Sequence, residues 1–242
     1  MQDKKGKLLL MDNDFETYLF ISPKKLIISV NDKNNFDNLY KDEVEINDEM
    51  NQLQYDVIDS FLYKNIFLIE KILKNFIKKI NLIISSEDFF SVQISLKKNN
   101  YGELINQGTL NYVLNEAKNQ CKETIHGNKI IHMLVDNYLI DNNSYSYFPT
   151  KLKCYFFSLD LSFICLPEYL IKDLEKILRK YQISLNQILY TEYLKNFFKS
   201  EDIDIFNMAN KIIGGCNENE IKLVNKTFEK RGIFERFFDL FS

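Results

Sequence analysis

Tryptophan is absent from this chain of 242 residues, and histidine occurs twice, proline three times, cysteine four times and glycine seven times. Two histidines leave little for acid–base or metal chemistry. His126, beside Gly127, reads as a helix C-terminal residue whose charge complements the helix dipole, and His132 sits in a strand-like run. Cys121, Cys154, Cys165 and Cys216 form no CxxC pair, which excludes the usual zinc and redox spacings and leaves buried free thiols as the expected state. HExxH, GxSxG and GxxxxGK[ST] are all missing. The acidic pairs Glu87-Asp88 and Asp202-Asp204 read as solvated turn residues, so no catalytic residue and no metal site is expected.

Scarce glycine also bears on nucleotide binding. A loop that wraps phosphate needs small residues and free backbone N–H groups. The first hairpin turn is Ser22-Pro23-Lys24-Lys25, where Pro23 removes a donor, and Asp12-Asn13-Asp14 has no glycine and two negative charges. No cofactor is expected. Basic charge of one sign is lacking as well: 31 Lys and Arg are interspersed with 34 Asp and Glu, a net charge of −3, which argues against nucleic acid as a partner. No apolar run approaches the roughly 20 residues that span a bilayer. The start MQDKKGKLLLMDND is too short in its apolar part for a signal peptide, so the chain is expected to stay in the cytoplasm.

What is present is a 45% hydrophobic composition, enough for a normal core in one large domain or two small ones. A meander is expected first: Tyr18 to Ile21, a turn, Leu26 to Val30, and a polar strand within Phe36 to Ile46. Ile58, Phe61, Leu62, Ile66, Ile69, Ile72, Leu73, Phe76 and Ile77 then recur at helical spacing, predicting a helix over Tyr55 to Lys79 with a wide apolar face. Asn81 to Ser85 and Phe90 to Leu96 follow as strands, the latter alternating Val92, Ile94 and Leu96 with polar residues. After Tyr101-Gly102 the pattern is a helix capped by Thr109, strands Lys129 to Ile140 and Lys153 to Leu166, a helix Pro167 to Tyr181, a short run Ile183 to Leu189, and a helical piece to Phe198. The fold class is therefore α+β. Lys199 to Thr227, with Gly214-Gly215, reads as a tether carrying one marginal helix around Ile205 to Ile213.

The last residues, Glu229 to Ser242, form an amphipathic pattern. At 100° per residue, Ile233, Phe234, Phe237, Phe238, Leu240 and Phe241 fall within an arc of roughly 160°, opposite Glu235, Arg236 and Asp239. With Lys230 and Arg231 before it and Gly232 as a swivel, this stretch suits a membrane interface; Lys230, Arg231, Ile233, Phe234, Arg236, Phe237, Phe238, Leu240 and Phe241 are the expected lipid contacts. Burying the apolar side halfway supplies several kcal/mol, roughly 25 cal/mol per Å², which makes binding reversible. The same phenylalanines suit a partner's groove, or docking on the chain's own domain.

Four stretches in order, TLNYVLNEAK (Thr109 to Lys118), KIIHMLVDNYLID (Lys129 to Asp141), KLKCYFFSLDLSFICLP (Lys151 to Pro167) and QISLNQILYTEYL (Gln182 to Leu194), resemble the bacterial actin-like cell-division protein FtsA, the membrane tether of the division ring. The succession is similar to that family's extra, SHS2-type subdomain. The resemblance implies a partial actin-like (ribonuclease H-like) subdomain at residues 1–100, the SHS2-type subdomain at 101–198, a flexible tether at 199–228 and a membrane helix at 229–242. It further implies a peripheral adaptor on the cytoplasmic face of the bacterial inner membrane at the division site. Other division proteins, and self-association through residues 101–198, are the implied partners. Family members are much longer and continue into a second phosphate loop and the parts that hold adenosine and engage FtsZ. Those parts are absent after Phe198, so ATP dependence and direct FtsZ contact are not carried over, and no enzyme activity is expected. The alternative reading is a soluble interaction module, and a small actin-like ATPase is disfavoured by the altered loops.

Overall fold

The computed structural model of the chain describes residues 14–47, 52–149 and 152–223. The amphipathic stretch Glu229 to Ser242 lies outside the described residues, and so do all nine of the lipid contacts expected in it.

Three strands open the fold, β1 (Phe15–Ile21), β2 (Lys25–Asp32) and β3 (Asn38–Glu45), paired antiparallel. The turn between β1 and β2 closes on itself, because the Ser22 hydroxyl donates to the Lys25 carbonyl and accepts the Lys25 N–H, both at 2.9 Å. Helix α1 (Tyr55–Leu73) follows and ends at Lys74, whose φ of 52° is left-handed. It therefore stops short of the Lys79 read from periodicity, and the chain enters β4 (Lys79–Ile84), which lies parallel to β1. Next come β5 (Phe90–Leu104) and α2 (Gln107–Thr124), then β6 (Asn128–Ile140), β7 (Asn143–Tyr145) and β8 (Lys153–Pro167), and finally α3 (Glu168–Lys180), β9 (Ser184–Tyr190), α4 (Thr191–Phe197) and α5 (Ile205–Ile213). The cap of α2 is Asn106, which accepts the Thr109 N–H at 3.0 Å, so Thr109 lies inside the helix rather than capping it.

Two sheets result, an α+β architecture. The first has the order β3-β2-β1-β4-β9, three antiparallel strands followed by two parallel ones. Side-chain alternation sends Tyr40 toward α1, where its hydroxyl meets Asn65, and Tyr18 to the other face, where its ring lies 6.2 Å from Phe206 of α5. Helices thus cover both faces, which is why β4 can be buried continuously from Ile80 to Ile84. The second sheet, β5-β8-β6-β7, is antiparallel throughout. Phe157, Leu159, Leu161 and Phe163 of β8 meet the Leu110, Val113, Ala117 and Cys121 stripe of α2 in one core. On the opposite face Asp160 accepts from Ser95 at 2.6 Å and from Asn137 at 3.3 Å, and Ser162 donates to Asp136 at 2.5 Å. One side of this sheet is dry and one is polar.

Sheet membership differs from the sequence division at residue 100. Strand β5, grouped with the first subdomain, pairs with β8 in the second sheet, and β9, grouped with the second, pairs parallel with β4 in the first. The reason is that β4 is buried on both faces and takes a parallel neighbour on each side, whereas the alternating Val92, Ile94 and Leu96 suit an antiparallel edge.

The expected tether is also corrected over its described part. Asp204 caps α5 by accepting the Phe206 and Asn207 N–H groups at 2.8 and 3.1 Å, and Phe206, Ala209 and Ile212 are buried in the first core. The chain then crosses to the second sheet, where Val135 N–H donates to the Asn219 carbonyl (2.9 Å) and Ile221 N–H to the Met133 carbonyl (2.8 Å). Residues 199–223 are a packed clasp: the apolar spacing of α5 is enough to bury it once a sheet face is available.

Candidate functional site

Where the two sheets meet, β6 carries a bulge between Ile130 and His132. A bulge re-aims the side chains that follow it. His132 consequently points into the junction and is only 3% exposed. Its Nε2 accepts the backbone N–H of Tyr190 at 3.1 Å, which fixes the proton of the neutral ring on Nδ1, 2.7 Å from Glu220 Oε1. The second Glu220 oxygen accepts the Tyr193 hydroxyl at 2.8 Å, and that hydroxyl accepts from Asn217 Nδ2 at 2.9 Å. Burial, together with the nearby Glu220 carboxylate, holds the Tyr193 phenol far above its ordinary range, so it remains a donor.

A histidine, a carboxylate and a tyrosine in contact suggest acid–base work, but the chemistry does not follow. The imidazole lone pair that would take a substrate proton is occupied by a main-chain N–H, and both carboxylate oxygens are engaged. This is a knot that joins β6, the β9–α4 corner and residues 217–220. Glu220, Tyr193 and Asn217 carry no sequence signal for it, since they lie 88, 61 and 85 residues from His132 along the chain.

The knot forms one end of a groove of about 500 Å³, walled by Lys129 to His132, by Leu185 to Leu189 of β9, by Ile212 and Ile213, and by Glu220 to Leu223. Among the described residues β9 pairs with β4 on one side, and Leu185 to Leu189 line this space. Isoleucines and leucines alternate there with Lys129, Glu175, Asn186, Gln187 and Lys222. A groove of mixed polar and apolar lining beside a strand edge can take an extended segment of another chain.

The other residues singled out in the sequence stay apart from the groove. His126 is exposed just beyond α2. Asp88 accepts from Ser86 within its own turn, and Asp204 serves α5 as its cap. Among the described residues no group of histidine, cysteine and acidic side chains is placed to hold a metal. At the first hairpin, the Ser22 and Lys25 N–H groups are spent on the turn itself, the position where a phosphate would need them free. Cys121, Cys154 and Cys165 are buried; burial pushes the Cys165 thiol up to about 12. Cys216, expected to be buried, is exposed, because it lies in the turn after Gly215. Among the described residues no helix is long and apolar enough to cross a membrane.

No family model matches the sequence, and no curated protein matches it. Solved structures that align with this chain include the following three. The PilM-PilN type IV pilus biogenesis complex aligns at a TM-score of 0.46 with 9% identity, over 75% of this chain and 49% of that one. The cytoplasmic domain of EpsL, an inner-membrane component of the type II secretion system of Vibrio cholerae, aligns at 0.39 with 6% identity, over 74% and 58%. A Bacteroides thetaiotaomicron protein with an actin-like ATPase fold aligns at 0.32 with 12% identity, over 77% and 56%. The chain thus spans about half the length of the solved structures it matches.

Proposed function

We propose that this protein is a non-enzymatic adaptor of the FtsA type, held reversibly on the cytoplasmic face of the inner membrane by its amphipathic end and offering a docking groove to other division proteins. The observation that carries the adaptor reading is the groove at the sheet junction, walled by β9 and by Glu220 to Leu223. From there the chain runs on in sequence toward Lys230, Arg231 and the phenylalanines that suit a lipid interface. A partner segment lying along β9 would gain main-chain hydrogen bonds from the strand edge and side-chain contacts from Ile131, Ile188 and Ile221. The engaged groups of the histidine knot and of the first hairpin turn are consistent with a binding role for this groove.

The tail's opposing charges, Lys226, Lys230, Arg231 and Arg236 against Glu229, Glu235 and Asp239, make its electrostatic attraction to lipid weak, and self-association would strengthen attachment by avidity. Flotation of the full chain with liposomes, beside a chain lacking Gly232 to Ser242, tests the reading. The full chain is expected in the lipid fraction and the shortened one largely in solution. Equal flotation would remove the membrane role of the tail and leave the soluble interaction module, whose phenylalanines dock in a partner.

A further inference from the structure

Helix α1 carries large apolar side chains on its outward side as well as on its buried side. Ile58, Phe61, Leu62, Ile66 and Ile69 face the first sheet and are buried. On the outward side Tyr63 is 77%, Phe67 71%, Ile72 56% and Leu68 40% exposed, and Phe76, just past the helix, is 71% exposed. At 100° per residue, Tyr63, Phe67, Leu68 and Ile72 share one half of the helix surface, an arc of roughly 180° that also holds Lys64 and Lys71 and, in the first turns of the helix, Asp56 and Ser60. Surface helices ordinarily show charge there. Large apolar side chains gathered on an outward face mark a contact surface.

Charge identifies what the surface meets. Residues 71–79 hold Lys71, Lys74, Lys78 and Lys79 and no acid. Glu70 is turned back to accept the Ile77 N–H at 3.1 Å, Asp59 is bound by Lys180 and Lys64 by Asp42, while Lys78 and Lys79 line a hollow that also holds Glu16. The C-terminal end of α1 and the residues just past it thus present Phe67, Ile72 and Phe76 beside the exposed Lys71 and Lys74. Aromatic and basic side chains in this combination are complementary to an anionic bilayer interface, which needs no matching shape. Aromatic rings settle at headgroup depth, and lysines beside them reach the lipid phosphates.

We infer that the outer face of α1, from Tyr63 to Lys79, is a second membrane contact that binds anionic lipid surfaces. It is separate in sequence from the C-terminal tail. With two contacts on one molecule, binding at the first raises the effective concentration of the second, so loss of either weakens attachment by more than its own share of surface.

The absence of tryptophan supplies the test, since Phe67→Trp creates a sole indole reporter. Full-length F67W is expected to shift its emission to the blue on vesicles of phosphatidylcholine with a third phosphatidylglycerol, and to shift less on phosphatidylcholine alone or in high salt. In the full chain, I72S with F76S, or K71E with K74E and K78E, is expected to lower partition onto the anionic vesicles by about tenfold or more, each lysine being worth about 1 kcal/mol near such a surface. These positions are exposed, so an unchanged circular dichroism spectrum shows that the fold is intact. The same α1 variants are also placed in a full chain whose Phe234, Phe237, Phe238 and Phe241 are serine, which separates this surface from the tail. Unshifted F67W emission on anionic vesicles, or partition of the α1 variants equal to the parent in both backgrounds, would overturn the inference. Capture of an acidic protein by α1 without vesicle binding would overturn it as well.

Discussion

Glu220 shows how much can hang on one side chain. Its two oxygens satisfy a buried imidazole N–H and a buried phenol, and its backbone neighbours pair with β6. In Glu220→Gln the amide keeps one acceptor and gains a donor, so either His132 or Tyr193 is left with an unmet donor in the interior. The expected loss is about 1–3 kcal/mol, read from urea denaturation against the parent chain. The cysteines make a second prediction at this scale. All four thiols are raised, but Cys121, Cys154 and Cys165 are buried and Cys216 is exposed, so a thiol reagent under native conditions should modify Cys216 first and the other three only on unfolding. Rapid labelling of all four would show that the α2–β8 core is not formed as described. Sequence spacing excluded cysteine pairs, yet it could not say which thiol faces solvent, because exposure at Cys216 depends on where the chain turns after α5.

Among the elements, α5 is the most instructive. Its surroundings in sequence are acidic and rich in breakers, which is the composition of a linker. Its own residues Phe206, Ala209 and Ile212 nevertheless lie on one face, and the face of the first sheet opposite α1 has room for them. Phe206→Ala is expected to cost about 3–5 kcal/mol by calorimetry or denaturant melt, the usual toll for removing a buried aromatic ring. A loss under 1 kcal/mol would mean that α5 hangs free, as a tether would. Strand β5 makes the complementary case. Its alternation was legible, and its period of two correctly predicts a half-buried strand; the identity of its partner was not, because β8 lies about 60 residues away and alternation carries no address. Helix α1 was legible as a helix with a wide apolar face, but only the structure divides that face into a buried side and an exposed one.

For the molecule as a whole, the two cores are not independent. Strand β8 contributes Phe157 to Phe163 to the second core and Ile164 and Leu166 to the first, and the clasp after α5 runs from one sheet to the other. Thermal unfolding is therefore expected as one transition, with calorimetric and van't Hoff enthalpies in agreement. Two resolved transitions would show that the sheets unfold separately and that the histidine knot is not a structural joint. The groove exists only at this scale: its walls come from β6, β9, α5 and the clasp, no two of them adjacent in sequence except α5 and the clasp.

By itself the sequence determined the α+β class, the order of helices and strands through the first 198 residues apart from the short β7, the lack of metal and nucleotide motifs, and the amphipathic pattern of the end. These follow from local periodicity and from the presence or absence of residue types, which need no knowledge of distant neighbours. Tertiary structure alone decided that β9 belongs beside β4, that residues 199–223 close the two sheets together, that His132 is a joint rather than a base, and that α1 turns an apolar, lysine-bearing face outward. Each of these depends on which surfaces meet after long loops close, and a linear pattern records a side chain's chemistry without recording what will stand opposite it.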